Sequence, residues 1–101
     1  MKLVKILSDQ AEGKFTEALP FGPPRTVQGC VLEKAEGLLR ITGKRFKLFS
    51  GAEDYVKICA GNGFIKWARG EAQFSAGDIF LAEGIGEYEV NGAERFLVAR
   101  R

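Results

Sequence analysis

The chain has 101 residues, 46% of them hydrophobic and 11% aromatic, with 15 Lys plus Arg against 13 Asp plus Glu, a formal net charge of +2. That length specifies one domain with a single core; the balanced charge supplies no concentrated basic stripe for nucleic acid, and no apolar run reaches the ~18 residues of a membrane span. Histidine is absent, removing the commonest metal ligand and the commonest general base near neutral pH, while Cys30 and Cys59 are too few and too isolated for a disulfide scaffold or a thiolate metal site and are expected as reduced, half-buried thiols.

In chain order, Met1 to Gln10 carries Lys2 and Lys5 but only Leu3, Val4, Ile6 and Leu7 as an apolar run, too short for a signal peptide. A soluble, cytoplasmic protein is expected. One helical turn fits near Phe15–Leu19, ended by Pro20. Pro20, Phe21, Gly22, Pro23 and Pro24 then read as an irregular arm, so residues 1–26 form an N-terminal arm and loop and 27–101 a β-sandwich. From Gly37 to Gly92, glycines cut the chain every six to ten residues or so, and the segments between them are rich in Val, Ile, Phe, Leu and Tyr. Short strands with turn chemistry at both ends indicate an all-β sandwich or barrel of about eight or more strands.

Two hairpins are expected. The first turns at Gly61–Asn62 and sets Ala60 opposite Gly63, Ile58 opposite Ile65, Val56 opposite Trp67 and Asp54 opposite Arg69. Val56, Ile58, Ile65 and Trp67 then share the inward face, with Lys57, Cys59, Phe64 and Lys66 outward. The second turns at Asn91–Gly92. A two-residue loop would place Glu89 opposite Glu94, so a three-residue loop through Ala93 is preferred, pairing Glu89 with Arg95 and Tyr88 with Phe96. The Arg100–Arg101 end reads as a solvated terminus.

From about Lys44 onward the chain resembles the cupin superfamily. Ile58-Cys59-Ala60-Gly61-Asn62-Gly63-Phe64-Ile65 is similar to the end of the first cupin motif and its hairpin, and Gly77-Asp78-Ile79-Phe80-Leu81 to the start of the second. Gly86-Glu87-Tyr88-Glu89-Val90-Asn91-Gly92 resembles the Gly-Glu-Tyr-x-x-x-Gly segment in the C-terminal cupin domain of bacterial type I mannose-6-phosphate isomerases. The resemblance implies a cupin-type jelly roll. Carried over residue by residue, the metal-ligand positions fall on Tyr88, on Asp54, and on Lys47 and Phe49, or Leu48 and Ser50 if the loop is one residue shorter. None of these sets supplies the neutral imidazoles that hold a transition metal. No metal or other cofactor is therefore expected, and no catalytic residue of that family can be placed on this chain.

Lys47, Asp54, Trp67, Arg69 and Tyr88 are the candidate ligand-binding residues. Asp54, Trp67, Arg69 and Tyr88 could ring the mouth of a barrel, Trp67 stacking on a sugar face while Asp54 and Arg69 bond hydroxyls. Lys47 could occupy the emptied metal position and bind an anion. The plainer reading is that Trp67 and Tyr88 fill the barrel, with Asp54–Arg69 a rim ion pair. Glu83, Glu87 and Glu89 are spaced like solvated strand residues rather than a glycosidase pair. Cys59, lacking a histidine base, is no nucleophile, and the Gly-x-Gly turns precede no helix that could cradle a phosphate. The expected function is a non-catalytic, stand-alone domain binding a small polar ligand such as a sugar or sugar phosphate, or an assembly module. The alternatives are a metal-independent sugar isomerase or epimerase using Asp54, Lys47 and Tyr88, and a regulatory sensor. A homodimer is expected, through edge strands such as Met1 to Ile6 and the outward Phe64.

Overall fold

In the computed structural model, which describes residues 1–15 and 20–100, two strands of fourteen residues carry the rest of the molecule: β6 (Asp54–Trp67) and β9 (Glu87–Arg100). They run antiparallel along their whole length, from Asp54↔Arg100 to Trp67↔Tyr88. Seven shorter strands attach to this pair: β1 (Lys2–Ile6), β2 (Arg25–Val27), β3 (Cys30–Ala35), β4 (Leu38–Thr42), β5 (Arg45–Phe49), β7 (Gly70–Phe74) and β8 (Ile79–Glu83). One half of the β6–β9 pair continues the order β1-β8-β6-β9-β4-β3-β2, and the other takes β7 beside β6 and β5 beside β9. The described chain is thus an all-β jelly roll whose two layers share their central strands, with the core between the layers.

The bend between the layers lies at the glycines. From Ile58↔Phe96 to Phe64↔Asn91 the chain takes six steps along β6 against five along β9, so β6 carries one extra residue. Gly61 and Gly92 adopt φ of +97° and +100°, and an added Cβ at Gly61 would lie 2.5 Å from the Gly92 carbonyl oxygen. At Gly63 it would collide with the Asn91 carbonyl. The backbones meet there without room for side chains.

Neither expected hairpin forms. Gly61–Asn62 and Asn91–Gly92 lie within continuous strands, and the pairs Ala60–Gly63, Ile58–Ile65, Val56–Trp67, Asp54–Arg69, Glu89–Arg95 and Tyr88–Phe96 are replaced by the β6–β9 register. A φ above zero is required equally by a tight turn and by a bulge, and local chemistry does not separate the two. The expected faces nonetheless hold. Val56, Ile58 and Ile65 are fully buried and Trp67 is half-buried against the core, because one inserted residue inverts side-chain parity just as a two-residue turn would.

The N-terminal segment is built into this architecture. β1 pairs with β8 of the same chain, Lys2↔Glu83 to Ile6↔Ile79. A 3-10 turn follows at Ser8–Ala11, whereas most of the helical turn expected near Phe15–Leu19 falls on 16–19, outside the described residues. Phe15 and Phe21 then cover the outer face of the larger layer, packing with Leu38, Leu97, Ala99 and Tyr55 into a second core. Arg40 stacks on Phe21 at 4.1 Å while its guanidinium binds both Glu33 oxygens at 2.9 Å. At the free edge of β5, the Gln28 side chain accepts from the Lys47 N–H at 2.8 Å and donates to its carbonyl at 2.9 Å.

The glycine crossing yields the first prediction. Gly63→Ala is expected to destabilise the fold by about 1–3 kcal/mol, the usual cost of forcing volume into a filled site, and thermal unfolding measures it. Gly29→Ala, with φ of +76° and open space around its Cβ position, should cost less, about 1 kcal/mol from backbone conformation alone. Equal effects of the two would contradict the steric account.

Candidate functional site

Strand alternation decides which side chains meet between the layers at one end of the jelly roll. On β9, Phe96, Val98 and Arg100 share the inward parity of the second half, and Tyr88 and Val90 that of the first. Asp54 begins β6 directly opposite Arg100. Leu48 on β5 and Trp67 on β6 flank Tyr88 on either side. Asp54 is 0% and Tyr88 1% exposed, and Asp54 is the buried charged residue of the core.

The Asp54 carboxylate is satisfied at both oxygens. Tyr88 donates its hydroxyl to Oδ2 at 2.8 Å, and Arg100 Nη2 stands 3.3 Å from the same oxygen. Oδ1 receives the Gly51 N–H at 3.3 Å and lies 3.2 Å from Arg100 Nε. Arg100 Nη2 also donates to the Phe49 carbonyl at 2.6 Å, fixing the guanidinium across the opening. Burial, first, and then the Asp54 charge push the Tyr88 phenol well above its ordinary pKa of 10.0, so the ring stays neutral and remains a donor.

Three expectations need correction. The partner of Asp54 is Arg100 and not Arg69, which sits exposed between β6 and β7 because β6 does not fold back on itself. Arg100, read from sequence as a solvated end, is 38% exposed at its side chain and belongs to the site. The signal was present in the parity it shares with Phe96 and Val98. Lys47 likewise does not enter the position beside Tyr88: β5 alternates exposed and buried, and Leu48 takes the inward place. A transition-metal ion does not fit here, since among the described residues the site offers one carboxylate, Asp54, both of whose oxygens are engaged. Among the described residues no three His, Cys, Asp or Glu side chains gather as metal ligands.

On the outer surface of β5, β9 and β6, Lys47, Glu89 and Lys66 form one cross-strand row. Glu89 is half-buried and paired, not solvated: it accepts from Asn91 and Arg45, each at 3.1 Å. The Asn91 hydrogen bond, then the Arg45 and Lys47 charges, hold its carboxyl below the ordinary value, the wrong direction for a general acid. Among the described residues, neither Lys47 nor Lys66 makes an ion pair. Beside this row runs a groove of about 640 Å³, lined by Arg45, Lys47, Lys66, Trp67, Tyr88 and Glu87 among others. The groove therefore brings together three of the five candidate residues, Lys47, Trp67 and Tyr88. Asp54 lies behind it, sealed inside, and Arg69 does not line it. The two cysteines are not both half-buried as expected: Cys30 is buried and Cys59 exposed, and neither is in a disulfide.

Tyr88 gives the second prediction. Tyr88→Ala should cost about 3–5 kcal/mol in denaturant titrations, as a buried aromatic deletion, and Tyr88→Phe about 1–2 kcal/mol for its hydrogen bond to a buried acceptor. The raised pKa adds a pH signature. Its stabilisation is fully present below about pH 10 and is lost as pH rises beyond that, at up to ~1.4 kcal/mol per pH unit. Tyr88→Phe should remove that slope. An unchanged alkaline limb in this variant would show that Tyr88 ionises freely in the folded state.

No protein-family model matches the chain, and no curated protein matches it either. Among solved structures, mannose 6-phosphate isomerase from Bacillus subtilis superposes with a TM-score of 0.64 at 9% sequence identity, over 89% of this chain and 31% of that one. The chain thus spans about a third of that isomerase's length. What the two share is the fold, a cupin-like jelly roll.

Proposed function

We propose that this cupin-like domain is a non-catalytic binding module that takes a sugar or sugar phosphate in the outer groove beside Trp67. The observation that carries the reading is the separation of the two polar centres. The inner one is closed by the Tyr88–Asp54–Arg100 contacts, whereas the outer one offers an aromatic edge and two lysines without ion-pair partners among the described residues. An indole beside cationic donors suits a ligand with an apolar ring face and an anionic substituent. The isomerase whose fold is shared acts on mannose 6-phosphate, which makes a hexose phosphate the natural first ligand.

The acid–base alternative has one point in its favour, the 2.8 Å contact between Tyr88 and a buried Asp54. Substrate access weighs against it: both groups are closed to solvent, and Lys47 projects from the other side of β5. Two cysteines outside any disulfide suit a reducing, cytoplasmic setting, and no helix among the described residues is long and apolar enough to cross a membrane.

Trp67 is the chain's single tryptophan, so its fluorescence reports the groove directly. Titration with mannose 6-phosphate is expected to give a saturable change, weakened about tenfold or more by Lys66→Glu, the scale of one charge-assisted contact. No saturable change up to about 10 mM, a concentration where ligands of even millimolar affinity saturate, would sink the proposal.

A homodimer is the second reading, favoured by β1. This strand ends its layer with one edge unpaired among the described residues, and Val4 within it and Met1 and Leu7 at its two ends are exposed. Light scattering at high concentration is expected to give twice the mass of the chain, and a monomer would overturn the reading.

A further inference from the structure

A second depression, of about 380 Å³, opens where the free edge of β5 faces β3 and β4. Its floor is apolar, formed by Leu32, Leu39, Phe46 and Leu48 at the margin of the main core. Its rim is cationic: Lys34, Lys47 and Arg100 line it, and no acidic side chain does. Lys34 reaches this side because it shares the parity of Cys30 and Leu32, both buried in the core. Arg100 spends Nε and Nη2 on Asp54 and Phe49, leaving Nη1 free of partners among the described residues. Phe49 stands at the same rim with 72% of its surface exposed, the largest value for any aromatic residue described.

We infer that this depression is a binding site for a small amphiphilic carboxylate, distinct from the outer groove. The acid group would rest between Lys34 and Nη1 of Arg100, with the hydrocarbon body on the floor and covered by Phe49. Lys34 makes no ion pair among the described residues and stands on the same rim as the outer nitrogen of Arg100, which favours an anion, and an apolar floor favours an aromatic or branched body over a hydrated one. A sugar suits the place poorly. The neutral polar side chain lining it, Gln28, has its carbonyl and one amide hydrogen committed to the Lys47 backbone, so little is left to pair with hydroxyls.

The test is amide chemical-shift titration of the intact chain with 4-phenylbutyrate, its neutral amide and acetate. Saturable shifts confined to β3, β4 and β5 are expected for 4-phenylbutyrate in the millimolar range or tighter, the level open to a ligand of this size. Lys34→Glu, an exposed change that leaves the thermal midpoint in place, should weaken binding about tenfold or more. Lys66→Glu, which alters only the outer groove, should leave it unchanged, so failure of the sugar reading and failure of this one are distinguishable. Absence of saturable shifts, equal binding of the neutral amide, or equal binding of acetate would each overturn the inference.

Discussion

The antiparallel pairing of β6 with β9 is the constraint on which the other strands depend. Each strand is long enough to serve both layers, and every remaining strand except β1, β2 and β3 pairs directly with one of the two. The pairing persists through a bend because Gly61, Gly63 and Gly92 let the backbones approach where any Cβ would intrude. A side chain there would push the strands apart at the point where both layers hinge. The twist and closure of the jelly roll thus rest on the absence of a few carbon atoms.

Asp54 shows how a polar group is retained in such a core. A carboxylate buried without partners would cost several kcal/mol, and even a paired one offers little net stability over an apolar replacement. Its tyrosine and arginine are positioned by β9, which supplies Tyr88 from one layer and Arg100 from the other. The three groups join the two layers at one end of the sandwich. Their geometry matters more for register than for energy, since a slip of β9 by one residue would turn both partners to the wrong face.

Sequence periodicity made much of this legible. Alternation identified Val56, Ile58 and Ile65 as core, and the cupin likeness placed Tyr88 beside Asp54, where the structure has them in contact. Pairing was harder to read. Glycine marks freedom of φ without saying whether the chain reverses or only bends, so the bulged crossing at Gly61 and Gly92 reads locally as two turns and Arg69 as the partner of Asp54. Arg100 escaped for a related reason: a charged residue near the end of a sequence looks solvated until the register shows what faces it. The outer groove depends on β5 lying beside β9, a contact between residues some forty positions apart that no local pattern encodes. The role of the N-terminal segment was equally hidden, because Phe15 and Phe21 gain a partner surface only once β4 and β9 are side by side.

Gln28 closes the edge of β5 with a single amide that imitates one residue of a neighbouring strand. It does so from a backbone φ of +54°, the only non-glycine residue described with a positive value. A sheet grows by templating: each bare edge copies its hydrogen-bond pattern onto the next chain that arrives. The amide occupies the template without being able to pass it on, since a side chain has no second edge. A strand adding to β5 would first have to displace Gln28, so this small loop guards the edge at Lys47.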